Sequence, residues 1–153
     1  NKIIDTGASV NIGNNSLTVK SSKDIKPINI VTSEYPGFPT DLQAQWMALM
    51  TLASGKSIIT EQIYKDRFTH IAELKRFGSM ITLKENKAYI TGVKHLKAAP
   101  VMSTDIRASA SLVIAALKAE GESEITRIYH LDRGYEKLAD KLSQLGAEIK
   151  RVH

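Results

Sequence analysis

The chain contains no cysteine among its 153 residues. This absence excludes disulfide bonds, cysteine-ligated metal and a thiol nucleophile from this sequence. The sequence also has no apolar run long enough to span a membrane and no signal-peptide pattern. These absences exclude the disulfide-stapled secreted class and the membrane-spanning class, and we expect a cytoplasmic location.

The sequence has no polybasic run, although its formal net charge is +5. Lysine and arginine are spread along the whole chain, which favours a solvated surface over a nucleic-acid footprint and still suits anionic ligands. The four histidines, at positions 70, 95, 130 and 153, lack metal-ligand spacing. We therefore interpret them as structural and predict neither a metal site nor a cofactor.

The chain also lacks an initial methionine, since it begins at Asn1. Residues 1–6 have the pattern of a helix already under way, and Gly7 follows as a stop signal. A length of 153 residues suits one domain with a core of its own. We expect a fragment of a longer protein.

Residues 36–45 predict a tight loop that leads into a helix. Thr40 is the predicted N-cap, and Gln43 completes a capping box three residues later. Asp41 lies in the first turn, where the helix dipole favours a carboxylate. Gly55 is the predicted end of the helix. The apolar face consists of Leu42, Trp46, Leu49, Met50 and Ala53.

The same pattern returns 64 residues later, where Thr104 and Asp105 open a second helix closed by Gly121. Its apolar face consists of Ile106, Ala110, Val113, Ile114 and Leu117. The pair Asp66-Arg67 likewise recurs as Asp132-Arg133. A period near 70 residues is an internal repeat larger than a solenoid unit. We divide one partial domain, 1–153, into the end of a unit (1–32), a full unit (33–103) and a truncated unit (104–153).

Each full unit reads β-α-β-α-β-β, which predicts an α/β fold with small mixed sheets. No GxGxxG or P-loop pattern follows any strand, so a nucleotide-binding doubly wound fold is not predicted. Two hairpins are expected, at 8–20 and 80–91. Further helices are predicted at 67–77 and 134–145. Tyr64 and Tyr129 come at the ends of two matching predicted strands. The further predicted strands are 28–32, 57–63, 100–103, 123–128 and 147–152.

The candidate chemistry lies at the helix starts, where free N–H groups and the positive dipole end suit anions. Guanidinium groups of Arg67, Arg107 and Arg133 near such ends would match phosphate or carboxylate. A paired aspartate could act as a base or orient a hydroxyl. Aspartate at a helix start and a local Asp-Arg ion pair are also routine structural features, and both interpretations stay open at this point.

Four motifs resemble the bacterial UDP-N-acetylglucosamine enolpyruvyl transferases, or UDP-N-acetylglucosamine 1-carboxyvinyltransferases. They are FPTDLQAQ at 38–45, DRF at 66–68, TDIRASASL at 104–112 and YHLDRGYE at 129–136. The likeness covers essentially the whole chain. It implies two globular domains of repeated β-α-β-α-β-β units, with helices inside and sheets outside as in an inverse α/β barrel. This chain would be the C-terminal part of such an enzyme, with some of its own domain missing.

The resemblance also implies a reaction. The enolpyruvyl group of phosphoenolpyruvate is transferred to the 3′-hydroxyl of UDP-N-acetylglucosamine, and phosphate is released. This is the first committed step of peptidoglycan synthesis, and so serves cell wall biogenesis, cell shape, the cell cycle and cell division. The family's catalytic cysteine loop and its N-terminal Lys-Asn pair are absent from this sequence. The expected partner is therefore the missing catalytic domain, and the fragment alone is expected to be inactive.

The resemblance assigns roles to single residues. Asp41 would contact the sugar and help to remove the hydroxyl proton, and the backbone of Ile63 would contact the nucleotide. Asp105 would face the loop of the other domain. Arg107 and Arg133 would lie near phosphoenolpyruvate. Arg67 would belong to the same cleft.

Two alternatives remain beside this interpretation. The unit could be a non-catalytic anion- or nucleotide-binding domain, or half of a related enolpyruvyl transferase. We expect no nucleic-acid partner and no membrane partner. A salt-dependent shift with mixed DNA would argue for a nucleic-acid partner.

Overall fold

The computed structural model describes residues 2–152. The chain begins with the short helix α1 (Lys2–Asp5), which Gly7 ends with a φ of +96°, in the left-handed region that favours glycine. The antiparallel hairpin of β1 (Ser9–Ile12) and β2 (Leu17–Lys20) follows. Both the helix stop and the hairpin confirm the sequence prediction.

A four-stranded mixed sheet forms one wall of the molecule, in the order β3-β4-β6-β5. Strand β3 (Ile30–Val31) runs parallel to β4 (Lys56–Thr60), and β6 (Lys87–Thr91) pairs antiparallel with both β4 and β5 (Met80–Lys84). The predicted hairpin of β5 and β6 is confirmed, and Glu85 turns it with a φ of 52°. The predicted strand 57–63 ends earlier, at Thr60.

The interior of the molecule is helical. A 3-10 turn (Thr40–Leu42) leads into α2 (Gln43–Met50), which packs against α4 (Ile106–Ala116), with α3 (His70–Arg76) beside α4. Residues on all sides of α2 are buried, as in a helix surrounded by other elements. Completely buried core side chains include Met47, Met50, Ile59, Leu74, Phe77, Leu96 and Leu112. This arrangement confirms an α/β fold with helices inside.

The ends of these helices differ from the prediction. Helix α2 ends at Met50, well before Gly55, because residues 51–54 already form turns. Helix α3 begins at His70 because residues 67–69 do not take up helical hydrogen bonding. The predicted apolar faces include partly exposed members, namely Leu42, Ile114 and Leu117.

Two short parallel pairs complete the sheets. Strand β7 (Leu96–Lys97) pairs with β9 (Ala119–Glu120), and β8 (Pro100–Met102) pairs with β10 (Glu124–Thr126). The second pair lies within the predicted strands 100–103 and 123–128. The first pair was not predicted, because strands of two residues carry no periodic pattern. Gly121 consequently follows a strand and does not close helix α4.

The end of the chain corrects three predictions. Residues 129–132 form a short helix, α5 (Tyr129–Asp132), so Tyr129 does not end a strand. Helix α6 (Leu138–Gln144) begins four residues later than expected, after Lys137, whose φ is 47°. The predicted strand 147–152 is wrong, because no strand in the described part of the chain pairs with it. Within residues 2–152, no helix has both the length and the apolar character needed to cross a membrane.

Candidate functional site

The candidate site lies where the 3-10 turn before α2 meets the start of α4. Asp41 Oδ1 is 2.5 Å from Arg107 Nε and 3.3 Å from Arg67 Nη1. The Asp41 side chain is 63% exposed, and those of Arg67 and Arg107 are 22% and 34% exposed. Two guanidinium groups therefore face one carboxylate at a solvent-accessible position. Asp41 Oδ2 makes no hydrogen bond within the part of the chain that the structure describes.

The predicted capping box does not form. The Thr40 hydroxyl donates to Glu61 Oε2 at 2.9 Å, and Thr40 Oγ1 accepts from Arg67 Nη1 at 3.0 Å. Gln43 Nε2 donates to the main-chain oxygen of Arg67 at 3.3 Å. Neither side chain caps its helix, because both are engaged in holding Arg67.

Sequence reasoning missed Glu61, which is completely buried just after β4. Its Oε1 accepts hydrogen bonds from Thr32 Oγ1 at 2.7 Å and from the N–H groups of Ile63 at 2.9 Å and Tyr64 at 3.0 Å. By the two-residue period of the predicted strand 57–63, position 61 lies on the same face as Ile59, and this is a signal that could have found it.

Tyr64 supports Arg67 from a second direction. The guanidinium carbon of Arg67 lies 4.0 Å from the centroid of the Tyr64 ring, a cation–π contact. The sequence predicts this tyrosine only at the end of a strand and assigns it no role in the site. The stacking leaves the guanidinium edge free to donate hydrogen bonds to Thr40 and Asp41.

Asp105 is the N-cap of α4. Its Oδ1 accepts from the main-chain N–H groups of Arg107 at 2.9 Å and Ala108 at 3.0 Å. The cap therefore falls on the aspartate and not on Thr104, one residue away from the position that the repeat predicts. Because Arg107 lies in the capped turn, Asp105 helps to fix the backbone from which the guanidinium reaches Asp41.

His70 lies in the interior beside this capped helix start, with 1% of its surface exposed. Its Nε2 has no hydrogen-bond partner within the described residues. Burial lowers the pKa of His70 from 6.5 to about 4, although the nearby Asp105 carboxylate acts to raise it. The imidazole is therefore neutral at pH 7.

Residues 1–142 match the family model described as EPSP synthase (3-phosphoshikimate 1-carboxyvinyltransferase). The chain belongs to the EPSP synthase family. Two curated relatives, from Geotalea daltonii and Thermodesulfovibrio yellowstonii, are 54% and 57% identical over 151 residues and are named UDP-N-acetylglucosamine 1-carboxyvinyltransferase. Each alignment covers 99% of this chain and 36% of the relative. The chain thus spans about a third of the length of these relatives.

Two solved structures share the fold. The enolpyruvyl transferase NikO from Streptomyces tendae has a TM-score of 0.89 at 28% identity, over 99% of this chain and 35% of NikO. An EPSP synthase from Acinetobacter baumannii has a TM-score of 0.55 at 18% identity, over 80% of this chain and 30% of that one, and shows the fold alone. These similarities confirm the fold class predicted from the repeated units. The division at residues 32 and 103 remains a prediction.

The structure of this family member brings together four of the six predicted site residues: Asp41, Arg67, Asp105 and Arg107. Ile63 is close to them through Glu61, but its N–H group is already donated to that carboxylate. Arg133 is exposed, and its guanidinium makes no hydrogen bond or ion pair in residues 2–152.

The segment that carries Arg133 nevertheless runs beside the site. Gln45 Nε2 lies 3.4 Å from the hydroxyl of Tyr135, and a Cβ on Gly134 would lie 2.1 Å from Ile106 Cδ1. Close packing of Gly134 therefore places its neighbour near the start of α4. Within residues 2–152, no group of three or more His, Cys, Asp or Glu side chains could hold a metal ion.

A shallow cavity of about 470 Å³ lies over the four-stranded sheet, beside Lys56, Ile58, Met80 and Tyr89. None of the six predicted site residues lines this cavity. The candidate site is instead an open surface between two helix starts.

Proposed function

We propose that this chain is part of an enzyme that transfers the enolpyruvyl group of phosphoenolpyruvate to the 3′-hydroxyl of UDP-N-acetylglucosamine, with release of phosphate. The observation that carries the proposal is the placement of Asp41 between the guanidinium groups of Arg67 and Arg107. Support also comes from relatives 54% and 57% identical to the chain that are named for this activity. The process served would be peptidoglycan precursor synthesis, and through it cell wall biogenesis and cell division.

Asp41 is proposed as the residue that takes the proton of the sugar hydroxyl. Two guanidinium groups hold Oδ1, so Oδ2 is left to meet a hydroxyl with the carboxylate plane already fixed. Over the whole reaction the 3′-oxygen loses its proton and gains a bond to the enolpyruvyl carbon. The bond from that carbon to the phosphate oxygen is broken, and phosphate leaves with the electron pair of that bond.

The arginines are proposed to bind the anionic groups of phosphoenolpyruvate. Guanidinium groups match carboxylate and phosphate with paired N–H donors. Arg67 and Arg107 already converge on one point, and Arg133 belongs to a segment packed beside the start of α4. A substrate anion that entered between them would meet guanidinium N–H donors from more than one arginine.

Ile63 and Asp105 are proposed to serve recognition. Since Glu61 accepts the N–H of Ile63, a nucleotide contact from this backbone would use its carbonyl oxygen. Asp105 Oδ1 is occupied by the helix cap, so a contact with the other domain would use Oδ2, which lies 3.4 Å from Thr69 Oγ1.

The proposed partner is the remaining two thirds of the enzyme, and the proposed location is the cytoplasm. The 153-residue chain has no cysteine and supplies one wall of the cleft. We expect it to release no phosphate from the two substrates by itself. Steady release in proportion to the amount of purified chain would contradict this part of the proposal.

The test is Asp41→Asn in the full-length protein that carries this chain. Loss of a general base commonly costs roughly 10²- to 10⁴-fold in rate, whereas the amide can still hydrogen-bond to the sugar. We expect kcat to fall by that amount and KM for UDP-N-acetylglucosamine to change little. Asp140→Asn, on the exposed side of α6, is the matched control and should leave both constants unchanged. Parental turnover with a lowered melting temperature in Asp41→Asn would show a structural role instead.

The arginine cluster also favours a second function, anion or nucleotide binding without catalysis. Arg107→Ala and Arg133→Ala remove guanidinium contacts, so KM for phosphoenolpyruvate should rise if they bind it. Arg76→Ala, on the exposed end of α3, is the control. Weakened binding in the arginine variants together with normal turnover in Asp41→Asn would favour the binding domain. Transfer to an acceptor other than UDP-N-acetylglucosamine would favour a related enolpyruvyl transferase.

A further inference from the structure

The buried carboxylate of Glu61 connects two parts of the candidate site that are distant in sequence. Its Oε1 accepts from Thr32 Oγ1 and from the N–H groups of Ile63 and Tyr64, and its Oε2 accepts from Thr40 Oγ1. Four donors surround a side chain that is completely buried. Burial of a carboxylate is costly unless hydrogen bonds replace the lost water, and these four bonds do so.

The direction of each hydrogen bond follows from the chemistry of Thr40. A hydroxyl has one proton, and Thr40 directs it to Glu61 Oε2. The Thr40 oxygen then accepts from Arg67 Nη1, which can only donate. The same Nη1 lies 3.3 Å from Asp41 Oδ1. A continuous path of hydrogen bonds thus runs from the buried carboxylate to the proposed base.

Glu61 also controls the second support of Arg67. By accepting from the N–H groups of Ile63 and Tyr64, its carboxylate folds this short segment back on itself. That turn places the Tyr64 ring under the Arg67 guanidinium, at 4.0 Å. Arg67 is therefore fixed by Thr40 on one side and by Tyr64 on the other, and Glu61 holds both.

The position of Glu61 is itself rigidly set. Its N–H donates to Asn86 O, and its carbonyl oxygen accepts from Asn86 Nδ2, both at 2.9 Å. Asn86 belongs to the turn between β5 and β6, so the carboxylate is anchored to the four-stranded sheet. The sheet can therefore hold the site through one side chain.

We propose that Glu61 is a positioning residue for the proposed transfer reaction, a role that rests on the function proposed above. It touches neither substrate. It sets the orientation of Arg67, and through it of Asp41, and it joins them to the backbone proposed to contact the nucleotide. A residue of the core needs only to fill space, whereas this role requires a carboxylate that accepts on both oxygens.

Glutamine at position 61 separates the two sides of this network. If the amide oxygen takes the place of Oε1, it keeps the bonds from Thr32, Ile63 and Tyr64. The amide NH₂ group then faces the Thr40 hydroxyl, which can no longer donate in that direction. Glu61→Gln therefore preserves the contacts that shape the fold and replaces the charged acceptor of the Thr40 hydroxyl with a donor, so that the Thr40 oxygen accepts from the amide as well as from Arg67.

The experiment measures kcat and KM of Glu61→Gln, Thr40→Val and the double variant in the full-length protein. We expect kcat to fall about tenfold in each single variant, the order expected for loss of a hydrogen bond to a charged group. The kcat of the double variant should fall no further, because both changes remove the hydrogen bond from the Thr40 hydroxyl to the Glu61 carboxylate. KM for UDP-N-acetylglucosamine should change less than about threefold. Thr40→Ser keeps the hydroxyl and should restore kcat.

Thr32→Val is the matched control, because it removes a donor to the same carboxylate on the fold side. It should lower the melting temperature and leave kcat near the parental value. Parental kcat in Glu61→Gln, or additive losses in the double variant, would overturn the positioning role. Asp41→Asn is measured in parallel: if it loses turnover while Glu61→Gln does not, only the positioning role fails. If Asp41→Asn keeps its turnover, the proposed function fails and the positioning role with it.

Discussion

His70 should make the stability of this chain depend on pH between about 4 and 6.5. Its imidazole is buried, and Nε2 has no partner in the described residues. Burial lowers its pKa from 6.5 to about 4, against the opposing effect of Asp105. In the unfolded chain the imidazole meets water and takes up a proton near its ordinary pKa of about 6.5.

The sign of the effect follows from proton counting. Between pH 6.5 and 4 the unfolded state binds the proton and the folded state resists it, so stability falls as the pH falls. The contribution of the neutral His70 imidazole to the free energy of unfolding is fully present above pH 6.5 and is lost as the pH approaches 4. At about 1.36 kcal/mol per pH unit, this window corresponds to a loss of about 3 kcal/mol. That is a large fraction of the 5–15 kcal/mol that stabilises a typical domain.

The assay is urea unfolding followed by circular dichroism at pH 7 and at pH 4.5, on the parent and two variants. His70→Gln has no group that titrates there, so its loss of unfolding free energy on acidification should be smaller than the parent's by about 2–3 kcal/mol. His95→Gln is the matched control, because its side chain is 66% exposed on a surface pair with Glu120. It should keep the parental pH dependence.

Carboxylates will also contribute to acid sensitivity, and the difference between the variants removes them from the comparison. A His70→Gln chain that loses as much free energy between pH 7 and 4.5 as the parent would refute the reasoning. The same conclusion would follow if His95→Gln flattened the curve and His70→Gln did not.

Two further predictions concern stability. In Gly92→Ala, the new Cβ would lie 1.7 Å from the carbonyl oxygen of Ala53, so the backbone must move. The free energy of unfolding, measured in a thermal melt, should therefore fall by more than about 1 kcal/mol. Gly13→Ala, whose nearest obstacle is the movable hydroxyl of Ser16 at 2.7 Å, should lose far less, and equal losses would contradict the argument. Asp105→Ala removes the cap of α4 and should lower the free energy of unfolding by about 0.5–2 kcal/mol. Asp105→Asn, whose amide oxygen can still accept the two N–H groups, should keep most of that stability. An alanine variant as stable as the asparagine variant would show that the cap contributes nothing.

The sequence predicts the interior of this fold well. The two similar apolar patterns indicate two helices, and α2 and α4 are found packed against each other in the core. Both hairpins are correct, because alternating apolar residues and turn residues are local signals. Asp41 and Arg107 meet because their segments lead into α2 and α4, which pack against each other, and Arg67 joins them from the segment before α3.

The errors arise where tertiary contacts decide. Thr40 has the sequence pattern of a cap, but its hydroxyl finds a stronger, charged acceptor in Glu61, which lies 21 residues away in the chain. The strand predicted at 147–152 has the right composition, and composition cannot supply a neighbour to pair with. The two-residue strands β7 and β9 exist only through each other, so no local pattern reveals them.

The parallel pairing of β3 with β4 bears on how the chain folds. In their register Ile30 faces Ile59, so this contact closes a long stretch of chain that contains α2. Such non-local contacts cost loop entropy before they stabilise anything, and they slow folding relative to hairpins and helices. We expect the two hairpins and α4 to form early in refolding and the β3–β4 pair to form late. Because Thr32 follows β3 and Glu61 follows β4, their hydrogen bond should form together with this pair. The amide of Thr32, which donates to the carbonyl oxygen of Thr60, should be among the last to gain protection from exchange.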